Sequence, residues 1–141
     1  MVLAYTVGRQ VGLRDLQTNQ MKFLKNEADD CNDFIEVTAL GFYSKKYIAV
    51  GYIKQNDKKA YIAVHKVKNY GANTELKVTI DLFDEVPAYQ RQVDWLDFSN
   101  DGKHLVVNLN APGTKVLVYK WSMTSSGGVK SSRLLCQQEF N

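Results

Sequence analysis

The sequence predicts an all-β fold. Three observations predict it. Short runs rich in Val, Ile, Leu, Tyr and Phe recur about every 10–15 residues, and such side chains favour a pleated, half-buried surface. Clusters of Gly, Asn, Asp and Ser separate the runs, and these residues tolerate positive φ or bond their own backbone. One long stretch of the pattern also returns further along the chain, piece by piece.

The elements follow in chain order. Residues 2–6 form a short apolar run, Gly8 supplies a turn, and residues 10–16 alternate apolar with polar. Residues 21–24 are another short run. Residues 35–42 and 47–53 flank a Ser44-Lys45-Lys46 turn, and residues 60–67 alternate. Residues 76–82 place Leu76, Val78, Ile80 and Leu82 at a period of two, which puts all four on one face of a strand. Residues 81–89 carry the only helical character, and Pro87 limits it. Residues 93–98 and 105–109 flank Ser99-Asn100-Asp101-Gly102-Lys103, a hairpin signal. Residues 115–121 and 134–140 complete the set. Between them lies SMTSSGGVKSSR, in which Gly127 and Gly128 mark a variable surface loop joining two strands.

The repeat organises these elements. Residues 37–67 read VTALGFYSKKYIAVGYIKQNDKKAYIAVHKV, and residues 93–121 read VDWLDFSNDGKHLVVNLNAPGTKVLVYKW. Leu40 and Phe42 correspond to Leu96 and Phe98, and the 44–46 turn to the 99–103 turn. Residues 47–50 correspond to 104–107, and residues 62–67 to 116–121. The offset is about 56 residues and drifts only through the loops. A shorter third copy occupies the N-terminus. A unit of four short strands is the sequence form of a β-propeller blade, a small sheet whose two apolar faces need neighbours. The expected layout is the end of a first blade over residues 1–30, a second blade over 31–86 and a third over 87–141. Propellers close with about 4–8 blades. Two to three four-stranded antiparallel blades would therefore be a segment of a larger propeller.

LDFSNDGKHLVV (residues 96–107) resembles the first hairpin of a WD40 repeat, where an apolar-Phe-Ser-x-Asp-Gly pattern is typical. VGLRDLQT (residues 11–18) resembles the end of the third strand, with Arg14 at the Trp position and Asp15 at the Asp position. The other two copies hold His65-Lys66 and Tyr119-Lys120 there, and no Gly-His pair opens a blade. The resemblance therefore implies degraded repeats held mainly by apolar packing, with Asp15, Asp101 and Gly102 as structural blade-turn residues. The order of the segments is similar to the first propeller of cilia- and flagella-associated WD-repeat proteins. That likeness rests on VGLRDLQTNQMKFL, the tyrosine-rich KKYIAVGYIK and KKAYIAVHKV, an acidic linker and VDWLDFSNDGKHLVV. It implies a non-enzymatic scaffold of the ciliary or flagellar axoneme that helps attach inner dynein arms to doublet microtubules. The partners would be axonemal dynein or tubulin, and the rest of the chain's own propeller. The alternatives are an adaptor of another cytoplasmic or nuclear complex, or a propeller enzyme.

Composition bounds the class of protein. The 141 residues are 45% hydrophobic and 23% charged, as in one ordinary globular domain. A net charge of +3 is too small to argue for nucleic acid. No apolar run approaches the roughly 18 residues of a membrane span. MVLAYTVGRQ has no basic region followed by a long apolar core, so no signal peptide is expected. Cys31 and Cys136 are isolated thiols without metal-ligand spacing, and a reducing compartment is the simpler reading.

Candidate chemistry is sparse. His65 and His104 are the only histidines, and both are expected to be surface or partly hydrogen-bonded residues. No cofactor, metal or small-molecule substrate is expected, since no ligand cluster, nucleophile elbow or phosphate loop is present. Trp95, Phe98, Tyr119 and Trp121 are expected in packing between blades. Glu27, Asp29, Asp30, Asp33 and Glu36 form an acidic stretch, and residues 45–77 then hold eight Lys against Asp57 and Glu75. Lys54, Lys58 and Lys59 form the candidate partner-contact loop, suited to an acidic protein surface.

Overall fold

The computed structural model describes residues 1–24, 34–54, 59–68, 73–82, 92–110, 113–124 and 130–140. Their regular structure is all strand. The N-terminal sheet holds β1 (Val2–Val7), β2 (Gln10–Asp15) and β3 (Met21–Phe23). The middle sheet holds β4 (Phe34–Tyr43), β5 (Tyr47–Lys54), β6 (Ala60–Lys68) and β7 (Asn73–Asp81). The C-terminal sheet holds β8 (Val93–Phe98), β9 (His104–Leu109), β10 (Thr114–Thr124) and β11 (Lys130–Phe140). Each sheet is an antiparallel meander in which sequence neighbours pair. The predicted 93–108 hairpin is present, with Leu96 opposite Val107 and Phe98 opposite Leu105.

Turn chemistry sets the hairpin ends. Gly8 and Gly102 take φ of 58° and 67°, and Ser44 takes 53°. These are the left-handed conformations that the three tight turns require.

The sheets pack face to face. β4 lies against β8, and β7 against β11. Between the middle and C-terminal sheets sits a core that includes Ile62, Val64, Ile80, Val93, Leu96, Leu105, Val107, Leu117 and Trp121. A second core joins Val11 and Leu13 of β2 to Val37, Ile48, Val50, Tyr52 and Ala63 of the middle sheet. Alternation explains the two layers. Ile62 and Val64 of β6 point to one core while Ala63 points to the other. At Gly41 the β4 backbone meets β8 closely, and a Cβ there would stand 2.5 Å from Leu96 Cδ1 and 2.7 Å from the Leu96 carbonyl oxygen.

Three expectations need correction. Asp81, the start of the stretch with helical character, is the last residue of β7. Backbone pairing of Tyr61 with Asp81 holds it extended, and residues 83–89 lie outside the described residues. Trp95 is 50% exposed rather than packed between sheets, because it falls on the opposite face of β8 from Leu96 and Phe98. β7 and β11 begin earlier than their apolar runs, at Asn73 and Lys130.

Candidate functional site

Two features concentrate the candidate residues: the β8–β9 turn and an open groove beside β1. The turn is built from its own polar atoms. The Gly102 N–H donates to the Ser99 carbonyl at 2.8 Å, and the Ser99 N–H to the His104 carbonyl at 3.0 Å. Asp101 Oδ1 accepts from the Lys103 N–H at 2.9 Å and from the Ser99 hydroxyl at 2.5 Å. These donors, the Ser99 hydroxyl first, hold the Asp101 carboxyl below its ordinary range. His104 is half-exposed, and its Nδ1 lies 3.6 Å from Asp101 Oδ1, beyond hydrogen-bond distance.

The turn is then locked to its neighbours. Trp121 Nε1 on β10 donates to the Gly102 carbonyl at 2.8 Å, in a buried setting. The Tyr43 ring of β4 covers Gly102 so closely that a Cβ there would collide with it. Tyr47 and Phe98 meet Trp121 edge-on at ring-centroid distances of 4.9 and 5.7 Å, and Tyr43 lies 6.0 Å from Phe98. Four aromatic rings from two sheets thus enclose one turn. Asp101 and Gly102 shape that turn.

Asp15 is elsewhere. It caps the turn after β2, where its carboxylate accepts from the Gln17 N–H at 2.8 Å. That bond is the main cause of its lowered pKa. Nearby, Arg14 Nε donates to Asn19 Oδ1 at 2.8 Å, across the left-handed Asn19. Asp15 also stands on the rim of a groove of about 580 Å³ between the N-terminal and middle sheets. Met1, Val2 and Ala4 form one wall, and Phe42, Ile48 and Val67 the other.

The basic loop is only partly described. Lys54 places its ammonium 4.2 Å from the centre of the Tyr61 ring, a cation–π contact at the end of β5. Lys59 leads back into β6, and its carbonyl accepts from the Lys54 N–H at 3.1 Å, which closes the base of the loop. Lys58 lies outside the described residues, as do Cys31, Gly127, Gly128, Glu27, Asp29, Asp30 and Asp33. Cys136 is free and exposed. Glu75 on β7 is shared between Lys68, at 2.6 Å, and Lys77, and the hydrogen bonds from these two lysines, Lys68 first, pull its pKa down from 4.5 to about 2.

His65 departs from its expectation. It is fully buried, and among the described residues neither ring nitrogen has a hydrogen-bond partner. Desolvation lowers its pKa to about 4. Its opposite number on β5 is Ile48, so the ring faces the second core. Among the described residues no group of three or more His, Cys, Asp or Glu converges to hold a metal ion. Among the described residues no helix is long and apolar enough to cross a membrane.

No family model matches the chain, and no curated protein matches it. A solved structure of a protein from Lactobacillus plantarum is similar in fold, with a TM-score of 0.50 at 11% identity. That structure is β-propeller-like. The match covers 93% of this chain and 33% of the other, so the chain spans about a third of the length of that neighbour. The fold is therefore β-propeller-like, and its three sheets are blade-like units.

Proposed function

We propose that this chain is a non-enzymatic, propeller-type scaffold that binds other proteins. The observation that supports this best is the stack itself. Three antiparallel sheets are packed face to face, and tightly braced turns such as Ser99–Lys103 project from their ends. Braced turns on a rigid stack present a surface of fixed shape, which lowers the ordering cost of binding. The finer proposal is an axonemal scaffold that helps attach inner dynein arms to doublet microtubules. It is supported by the likeness of segment order to cilia- and flagella-associated WD-repeat proteins. The lysines at 54, 58 and 59 suit an acidic tubulin surface, though Lys54 also spends part of its charge on Tyr61.

The test is isolation of the native polypeptide with an antibody to YGANTELKVT, residues 70–79. A polypeptide far heavier than 16.0 kDa that pellets with doublet microtubules is the expected result. A heavy polypeptide absent from cilia leaves a propeller adaptor and removes the axonemal role. A 16.0 kDa polypeptide that pellets with nothing removes both.

A further inference from the structure

Among the described residues the middle and C-terminal sheets each have four strands, whereas the N-terminal sheet has three, with β1 at its edge. The sheets can be compared position by position. Leu96 and Phe98 on β8 are only 1% and 9% exposed, because Gly41 and Tyr43 of β4 cover them. Their counterparts on β4 are Leu40 and Phe42. Leu40 is half-buried and Phe42 is 46% exposed. Among the described residues, no strand of the N-terminal sheet lies where β4 lies over β8.

The groove occupies that place. Phe42, Ser44, Lys45 and Tyr47 line it on one side, and Val2 and Ala4 of β1 on the other. The backbone of β1 agrees. The Leu16 N–H donates to the Met1 carbonyl, and Leu3 and Tyr5 pair with Arg14 and Gly12. Alternation in an antiparallel ladder then turns the amides of Val2, Ala4 and Thr6 to the open edge. An unpaired edge beside an apolar groove is a ready site for an added strand.

We infer that the groove receives a fourth strand from a polypeptide segment outside these 141 residues, paired antiparallel to β1. This rests on the reading of the chain as part of a larger propeller. The contacts across β4 and β8 set the chemistry of the strand. It carries a residue without a side chain opposite Leu40, as Gly41 stands opposite Leu96. Two residues later it carries an aromatic ring that covers the Ser44–Lys45 turn, as Tyr43 covers Gly102. The β4 sequence VTALGFY, residues 37–43, has both and serves as the probe.

The experiment is titration of the full 141-residue chain with the capped peptide VTALGFY, followed by amide hydrogen exchange at single-residue resolution. Exchange at Val2, Ala4 and Thr6 is expected to slow at least tenfold, with no change at Leu3 and Tyr5, whose amides already face β2. The peptide VTALLFY, with Leu in place of Gly, is expected to bind at least tenfold more weakly. The variant Phe42→Ala is expected to stay folded, with a single cooperative unfolding transition, and to lose the peptide. Equal binding of the two peptides, or protection elsewhere than on β1, overturns the proposal. So does protection of the β1 edge that appears with protein concentration and no peptide, since the occupant is then a second copy. Failure of the peptide to bind the folded chain overturns it as well but leaves the scaffold reading standing, because isolation of the native polypeptide judges that separately.

Discussion

His65 sets burial against chemistry within one side chain. Its ring is fully enclosed, and both nitrogens lack partners among the described residues. A folded pKa of about 4, against an ordinary 6.5, means that the unfolded chain takes up the proton first as pH falls. The neutral ring's contribution is therefore complete above pH 6.5 and is lost as pH falls from there toward 4. The loss over that window is about 3 kcal/mol. His65→Leu removes the proton site and the orphaned nitrogens together. We expect it to raise stability at pH 7.5 by about 1 kcal/mol and to flatten the acid limb of the curve. Urea unfolding at pH 7.5 and 4.5 reads both, and parallel curves for the two proteins would refute the assignment. Trp121 is the opposite case, a polar atom whose partner is in place. Trp121→Phe keeps the ring contacts with Tyr47 and Phe98 but strands the Gly102 carbonyl, at a cost of about 1–2 kcal/mol in the same assay. The sequence shows these two residues unequally. Ser-Asn-Asp-Gly announces its turn locally, since each residue acts on its own backbone. The burial of His65 depends on a second sheet more than forty positions upstream, and strand alternation tells which face a residue is on without telling whether that face is covered.

At the scale of elements, the decisive contact is the close passage of β4 over β8. A side chain at position 41 meets Leu96 Cδ1, which can move, and the Leu96 carbonyl oxygen, which cannot without shifting β8. Gly41→Val is therefore expected to cost about 2–3 kcal/mol. Gly8→Ala makes the comparison. It suffers the strain of φ 58° but has no atom within 4 Å of the new methyl, so about 1 kcal/mol is expected. Thermal unfolding of the two variants gives the ranking, and a larger loss at Gly8 would mean that backbone strain, not sheet packing, governs these turns. Strand identity was legible because apolar residues alternate in β7, and short apolar runs bounded by turn residues mark β5, β6 and β9. Strand length was less so. The first residues of β7 and β11, from Asn73 and Lys130, join the ladder through backbone hydrogen bonds, and a ladder needs no apolar side chain. Trp95 misled for a related reason: an aromatic on a strand suggests a core, yet its position beside Leu96 commits it to the outer face.

The whole molecule repeats one unit, and its repeats differ chiefly in what covers them. Leu96 and Phe98 are sheltered by β4, while Phe42, the same position one unit earlier, is 46% exposed. The repeat itself was readable at an offset of about 56 residues, because both copies use the same strand order and hairpin turns. The groove was not readable, because it arises from how two sheets face each other, and no local pattern records that. Its energetic consequence follows from area. Burying a fully exposed phenylalanine contributes roughly 1.5–3 kcal/mol, so covering the remainder of Phe42, 46% exposed, contributes roughly 1 kcal/mol, with the new ladder's hydrogen bonds in addition. Placing VTALGFYSKK, the strand and turn of residues 37–46, directly ahead of Met1 supplies β1 with an antiparallel partner through a hairpin of native type. For a chain of this size the melting temperature is expected to rise by about 5–10 °C. The same extension with Pro in place of Ala and Leu cannot join the ladder and is expected to give no rise. Equal melting temperatures for the two extensions would mean that the β1 edge does not accept a strand. A rise confined to the first would show that the exposed face of β4 and the open edge of β1 are two sides of one binding site.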